Sequence, residues 1–488
     1  MSATGQLAFD RFDALLDYGL MAPQSSVAIV DDETIVTYGK LRVLVSEVVQ
    51  MLRRSLPEGE ALIAVEVDRS WRLVVACLAI VRAGFAFAVI DKNLPESRKE
   101  AMISSASLRY LLSWSAGDEV SMTVLEAVKN EIDPCQYEKR LAYVVFTSGS
   151  TGSPKAVGIE RHSLLDFVAW HIATYGQPGG WRAAQIASPM FDVFVWDVFG
   201  SICGRAQLDV ISDNDRDPYT LWQRIAEVDV AHAPTPIAHL LLAEEDMQPS
   251  QMRLRDLLTG GERLNARPQL KRSYRFNDHY GPSECTIIVT STIAHGDVAC
   301  VPRGVIGPPV ASQEIYVVDE HQRPVASGEL GELLICGSFV GRGYLGNPSE
   351  SAKHFIDFPH ASCRAYRTGD FGRIVDDLGS IEFHGRRDHQ VKINGFRIEL
   401  GDVEAAVRGC IGVVDAVAGV REGTGGPFLI CAVMTSRHSP TDIEAIMRHL
   451  RSSLPEYMIP KKLHMTSSLT MGASGKIDRK TALNAIPT

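Results

Sequence analysis

The 488-residue chain carries 49 lysines and arginines against 59 aspartates and glutamates, a net charge of -10, with 45% hydrophobic and 22% charged residues. That balance permits a sizeable buried core and speaks against long disorder or a fibre. The interspersed acidic charge gives no footprint of a nucleic-acid or anionic-membrane binder, and the nine scattered cysteines form no CxxC pair or cysteine-histidine metal spacing. Reduced thiols of this kind fit the cytoplasm. The N-terminal MSATGQLAFDRFDALL has no basic segment followed by an apolar run, and no run of about 18 apolar residues occurs, so neither secretion nor a membrane span is expected.

In chain order, the apolar runs Leu62 to Val67, Phe85 to Ile90 and Leu141 to Phe146 predict buried strands. Trp71 to Arg82 and Glu96 to Ser105 have helical spacing between them. This alternation argues for α/β layers. The third run continues as YVVFTSGSTGSPKAV, where Thr147, Ser148, Gly149, Ser150, Thr151 and Gly152 lead to Lys155. Glycines let backbone N–H groups approach an anion, hydroxyls add donors and lysine adds charge, so the loop reads as a phosphate cradle. Its spacing departs from the GxxxxGK[ST] pattern, and a flexible surface loop is the plainer alternative.

Farther on, SPMFDVFVWDVF sets the Asp192 carboxylate in an aromatic and apolar stretch. A carboxylate buried there is costly unless it meets a cation; otherwise it is a helix N-cap or a solvated side chain. YGPSE, Tyr280 to Glu284, taken alone is a β-turn. After GSIEFHGRRD the texture changes to a short strand (Val391 to Ile393), a helix (Gly401 to Gly409), two strand-like runs and a helix (Asp442 to Leu450). This predicts a large domain over 1–386 and a small α+β domain over 387–488. There is no repeat period of about 20 to 50 residues.

TSGSTGSPK resembles the signature of the adenylate-forming superfamily, which includes acyl-CoA synthetases, luciferases and nonribosomal peptide synthetase adenylation domains. VTYGKL, VRAGFAFAVID, YGPSE, GELLICG, YRTGD, GRRDHQVKINGFRIE and GASGKIDRK follow in that family's order. The resemblance implies an α/β fold, with a multi-layer N-terminal domain and a small mobile C-terminal domain, and activation of a carboxylic acid by ATP and Mg2+. It implies that Glu284 holds the metal, Ser283 contacts phosphate, Tyr280 and Phe383 flank adenine, and Asp370 receives the ribose hydroxyls. Gly260, Gly261, Glu262 and Arg386 then belong to the nucleotide side. Asp278 stands where the family has Asn, with Asn277 one place earlier. Lys476 corresponds to the lysine that meets the developing phosphate charge. Asp388 corresponds to a hinge that exchanges Lys476 for a face carrying Lys392 and Gly395.

The resemblance also implies an acid pocket of Asp192, Val193, Trp196, Ala231, Leu258, Gly260, His279, Ile287, Ile288 and Lys476. Asp192 fits the α-ammonium of an amino acid, as in the amino-acid-activating members. The apolar remainder fits a nonpolar side chain, with proline or a small-to-medium aliphatic favoured. The sequence stops soon after Lys476 with no serine motif for a phosphopantetheine arm. The expected product is therefore handed to a separate carrier protein, by an enzyme of the stand-alone adenylation type. An acyl- or aryl-CoA ligase and an inactive homologue acting as a binding partner are the alternatives.

Overall fold

The computed structural model describes residues 11–487 apart from 57–61, 115–118, 126–140, 148–153, 178–179, 213–214, 265–271, 296–300, 362, 387–389, 424–425, 436–440, 467–468 and 470–478. The chain forms two compact units, one of 1–92, 107–145 and 156–387, the other of 93–106, 146–155 and 388–488.

Three sheets carry the first unit. An eight-stranded sheet runs, in spatial order, Thr290–Ser291, Arg275–Tyr280, Asp256–Gly260, Val230–His232, Arg182–Gln185, Gln207–Val210, Val27–Asp31 and Thr34–Thr37. Its middle pairs are parallel and each end closes with an antiparallel strand. A seven-stranded sheet holds Leu62–Glu66, Ala86–Val89 and Leu141–Thr147 at its centre, again in parallel. Those strands are the unbroken apolar runs of the sequence, as expected where both sheet faces are covered. The third sheet is antiparallel and built on Arg364–Ile374, with Gly331–Cys336, Phe355–Asp357 and Ile381–Arg386 against it.

Helix Trp71–Ala83 is apolar nearly all round and buried from Leu73 to Val81. It stops at Gly84, whose φ of 102° admits no other residue without strain. In VTYGKL, Thr37 caps helix Tyr38–Ser55 by accepting the Lys40 N–H, and the buried Tyr38 hydroxyl donates to the Ala206 carbonyl at 2.7 Å. The predicted segments 71–82, 96–105 and 141–146 correspond to helix Trp71–Ala83, helix Glu96–Ser105 and strand Leu141–Thr147.

The second unit has a hairpin of Gln390–Ile393 and Phe396–Glu399, turning through Asn394 (φ 53°) and Gly395 (φ 85°). Both central residues lie in the left-handed region that two-residue hairpin turns require, which explains the Asn-Gly pair. A sheet of Val413–Gly423, Gly426–Thr435 and Lys462–Thr466 follows, with helices Leu400–Arg408 and Ile443–Ser453 packed in a core of its own. Helix Glu96–Ser105 belongs to this unit, and the Ser97 hydroxyl donates to the Ser452 carbonyl at 2.9 Å. Among the described residues no helix is long and apolar enough to cross a membrane.

Candidate functional site

The strand Leu141–Thr147 leads into the glycine-rich loop, and Lys155 opens the next strand, Lys155–Glu160. Ser148, Gly149, Ser150, Thr151 and Gly152 lie outside the described residues. At the loop's mouth the buried Thr147 hydroxyl has no hydrogen-bond partner among the described residues. A buried hydroxyl of this kind can donate to a bound group.

YGPSE is a turn held under strain. Gly281 passes so close to the returning chain that a Cβ would stand 2.4 Å from Ile288 Cα. Thr286 (φ 50°) and Ile287 (φ 76°) occupy the left-handed region, where a β-branched residue costs about 1 to 3 kcal/mol. The surroundings impose it: Val289 N–H donates to Tyr280 O at 2.8 Å, Gly341 N–H to Glu284 O at 2.8 Å and Thr286 Oγ1 to Phe339 O at 2.6 Å. The result is a fully buried Glu284 whose Oε1 accepts the Tyr344 hydroxyl at 2.8 Å. Ser283 begins the short turn Ser283–Cys285 beside it.

Tyr280 and Phe383 face each other with ring centroids 5.7 Å apart. The Tyr280 hydroxyl donates to Asp370 Oδ2 at 2.5 Å, and Arg386 Nη1 lies 3.0 Å from Asp370 Oδ1. Burial first, and then the Asp370 carboxylate, push the Tyr280 hydroxyl well up, so it remains a donor. Glu332 fixes the approach to Asp370 by pairing with Arg367 at 2.7 Å and accepting Gly369 N–H at 3.3 Å. Thus Tyr280, Phe383, Asp370 and Arg386 come together as one cradle of two rings and an ion pair.

On the adjoining strands, Gly260 lies so close to His279 that a Cβ would stand 2.6 Å from its carbonyl oxygen. Gly261 has φ 102°, and the buried Thr235 hydroxyl ties this turn by donating to Gly260 O at 2.9 Å and receiving Glu262 N–H at 3.3 Å. Register pairs Asp278 with Thr259 and His279 with Gly260, so Asp278 and His279 project from opposite sheet faces. Asp278 N–H donates to Thr292 Oγ1 at 2.9 Å.

Asp192 is the first residue of helix Asp192–Cys203 and 9% exposed, with Phe191 as the N-cap. Neither plainer reading of Asp192 fits: it is not the cap and it is not solvated. Its charge sits at a helix N-terminus, where the dipole favours it. Trp196 lies one turn on, along the same helical face. Trp196, Leu258, Ile287 and Ile288 belong to the main apolar cluster, and Val193 packs against it. Ala231 does not join them. It pairs with Leu257 and packs in the second cluster, with Leu257 and Phe276, on the other sheet face. Its neighbour His232 takes the inward place, with its ring 4.5 Å from Trp196.

The expected apolar lining is therefore incomplete. Three imidazoles surround Trp196: His171, His232 and His279, at 5.8, 4.5 and 5.2 Å between ring centroids. Trp196 Nε1 donates to His171 Nδ1 at 2.7 Å, and His279 lies 3.0 Å from both the Tyr175 hydroxyl and Thr259 O. Burial keeps all three neutral, pushing His171 down to about 3 and His279 to about 4. His171, Tyr175, His232, Thr235 and Tyr344 escape the motif reading; for His232 strand alternation puts 231 and 232 on opposite faces without saying which is inward.

In the second unit, Lys392 is exposed and lies across the hairpin from Arg397. Asp388 and Lys476 lie outside the described residues. Arg479, three residues beyond Lys476 in the sequence, sits 2.6 Å from Glu404 Oε1 and donates to Ala418 O at 2.8 Å.

The sequence matches the family model described as AMP-binding enzyme over residues 21–345, and that of the AMP-binding enzyme C-terminal domain over 402–476. It is similar to a linear gramicidin synthase of Brevibacillus parabrevis, 34% identical over an aligned length of 480 residues, covering 93% of this chain and 6% of that protein. It is also 32% identical over 465 residues to surfactin synthase subunit 2 of Bacillus subtilis (strain 168), covering 91% of this chain and 13% of that protein. Among solved structures, holo-PA1221, an NRPS protein containing adenylation and PCP domains bound to a vinylsulfonamide inhibitor, superposes with a TM-score of 0.81 at 25% identity. The match covers 97% of this chain and 84% of that one. A four-domain nonribosomal peptide synthetase bound to AMP and glycine gives a TM-score of 0.66 at 26% identity, covering all of this chain and 37% of that one.

Proposed function

Because the chain belongs to the AMP-binding enzyme family, within the adenylate-forming ligases, we propose that it activates an α-amino acid as its aminoacyl-adenylate. A carboxylate oxygen of the amino acid attacks the α-phosphorus of ATP, and pyrophosphate leaves. The aminoacyl group then passes to the phosphopantetheine thiol of a carrier protein, releasing AMP. The adenylation and PCP domains named in a structural neighbour support that second step.

The observation that carries the amino-acid reading is Asp192, a buried carboxylate at the start of a helix and one turn from Trp196. A carboxylate at this place beside Trp196 offers an α-ammonium its counter-charge. Tyr280, Phe383 and Asp370 support an adenosine site, with rings for the base and a carboxylate for the ribose hydroxyls. Glu284, an oxygen donor held by Tyr344, suits Mg2+, which would neutralise phosphate charge when bound. Thr147, Ser148, Gly149, Ser150, Thr151, Gly152, Lys155 and Ser283 are assigned to the phosphates, Lys476 to the transition state and Asp388 to the hinge between 1–386 and 387–488. The buried, neutral histidines disfavour an ionic substrate side chain, so it is uncharged.

The test is pyrophosphate exchange over a panel of amino acids, benzoates and fatty acids. We expect exchange with one or a few α-amino acids, and a loss of at least about 100-fold in Asp192→Ala. Exchange with benzoates or fatty acids alone would overturn the amino-acid reading in favour of a CoA ligase; ATP binding without exchange on any acid would favour the inactive homologue.

A further inference from the structure

Of the three imidazoles around Trp196, two are visibly engaged. The Thr259 carbonyl can only accept, so His279 carries its proton on Nδ1 and takes the Tyr175 hydroxyl at Nε2. His171 accepts from the Trp196 indole at Nδ1. His232 differs: it is 2% exposed, and neither ring nitrogen has a hydrogen-bond partner among the described residues. Each unmet buried polar atom costs about 1 to 3 kcal/mol. A wholly apolar substrate would leave that cost in place.

His232 also stands where a side chain could be read. It lies on the same sheet face as Leu258, its register partner, and as Gly260 and His279 on the strands beyond. Its ring meets Trp196 edge-on at 84°, and Trp196 is one helical turn from Asp192. With the α-ammonium at Asp192, the substrate's side chain extends along the Trp196 face toward that imidazole.

Building on the reading that the chain activates an amino acid, we propose that His232 is a specificity-determining residue, selecting an α-amino acid whose side chain ends in an uncharged hydrogen-bonding group, a hydroxyl or a carboxamide. A neutral imidazole offers one donor and one acceptor, and such groups satisfy either. A carboxylate would be buried there without a counter-charge, since burial and two neighbouring histidines keep the imidazole neutral. An ammonium would be buried against neutral imidazoles, with Asp192 already engaged by the α-ammonium.

The experiment compares isosteres in pyrophosphate exchange: serine against alanine, threonine against valine, asparagine and glutamine against leucine and methionine. A hydroxyl or carboxamide acid should exceed its apolar isostere by at least about 100-fold in kcat/KM, because a site built to hydrogen-bond rejects analogues that lack the group. In His232→Leu that ratio should fall below about tenfold, with His232→Gln, which keeps a donor and an acceptor, recovering part of it. Preference of the unaltered protein for alanine, valine, leucine or proline would overturn the proposal and assign the His232 nitrogens to water, and so would a ratio unmoved by His232→Leu. Exchange with no amino acid at all would instead sink the amino-acid reading on which it rests. The isostere series on the unaltered protein decides the matter even where a variant fails to fold.

Discussion

At the scale of the residue, the cluster around Trp196 sets an acid limit on the first unit. His171, His232 and His279 are held neutral by burial, with folded values near 3 and 4 for the first and last, against an ordinary value of 6.5. A group whose folded value is depressed takes up protons in the unfolded chain first. Its contribution is therefore complete above pH 6.5 and lost as pH falls from 6.5 toward 4. Each such histidine adds to the loss in that window, on the order of 1 kcal/mol per pH unit. Melting followed by Trp fluorescence should show a flat Tm from pH 8 to 7 and a steep fall from 6 to 5, and His171→Phe should flatten the fall by about a third. Glu160 does not mimic this: held at about 2 first by His162 and then by Arg342, it loses its contribution only below about pH 4.5, while Asp31, Asp197 and Asp209, raised by burial, act in the opposite sense. A fall that His171→Phe leaves unchanged would contradict the neutral cluster.

At the scale of the element, that cluster depends on how closely helix Arg161–Tyr175 approaches helix Asp192–Cys203. Gly200 makes the approach, since a Cβ there would stand 2.7 Å from His171 Cδ2 and 2.9 Å from Nε2. His171 cannot yield without breaking its bond from Trp196. Gly200→Ala should therefore cost about 1 to 3 kcal/mol by overpacking, although alanine favours a helix interior. Its KM for the amino acid should rise several-fold while KM for ATP changes little, because Trp196 shifts and the Tyr280, Phe383 and Asp370 cradle does not. Thermal melting and exchange kinetics check both halves. A stabilised variant with an unchanged KM would show that the two helices have slack.

At the scale of the whole molecule, what the sequence reveals depends on whether an element's neighbours are legible from the element itself. Leu62–Glu66, Ala86–Val89 and Leu141–Thr147 are buried on both faces, so their own apolar runs announce them. Arg364–Ile374 hides because Arg364, Arg367, Asp370 and Arg373 interrupt it, charges that a half-covered antiparallel strand tolerates. Asp192, Glu284, Asp370 and Tyr280 stand in motifs that the sequence shows, and the structure brings Tyr280 and Asp370 into contact. His232 was not, because the three residues of Val230–His232 are too few to show which face is inward; the register with Leu257 and Leu258 decides it. The roles proposed for Lys476 and Lys392 belong to two successive half-reactions. Lys476→Ala should lower amino-acid-dependent pyrophosphate exchange by about 100-fold or more, the loss expected when preorganised charge is removed from a transition state. Lys392→Ala should instead slow transfer of a preformed aminoacyl-adenylate to a carrier thiol by about tenfold, with a far smaller effect on exchange. Measuring both half-reactions in both variants separates the roles, and equal losses in each would mean that the two lysines do not divide the work.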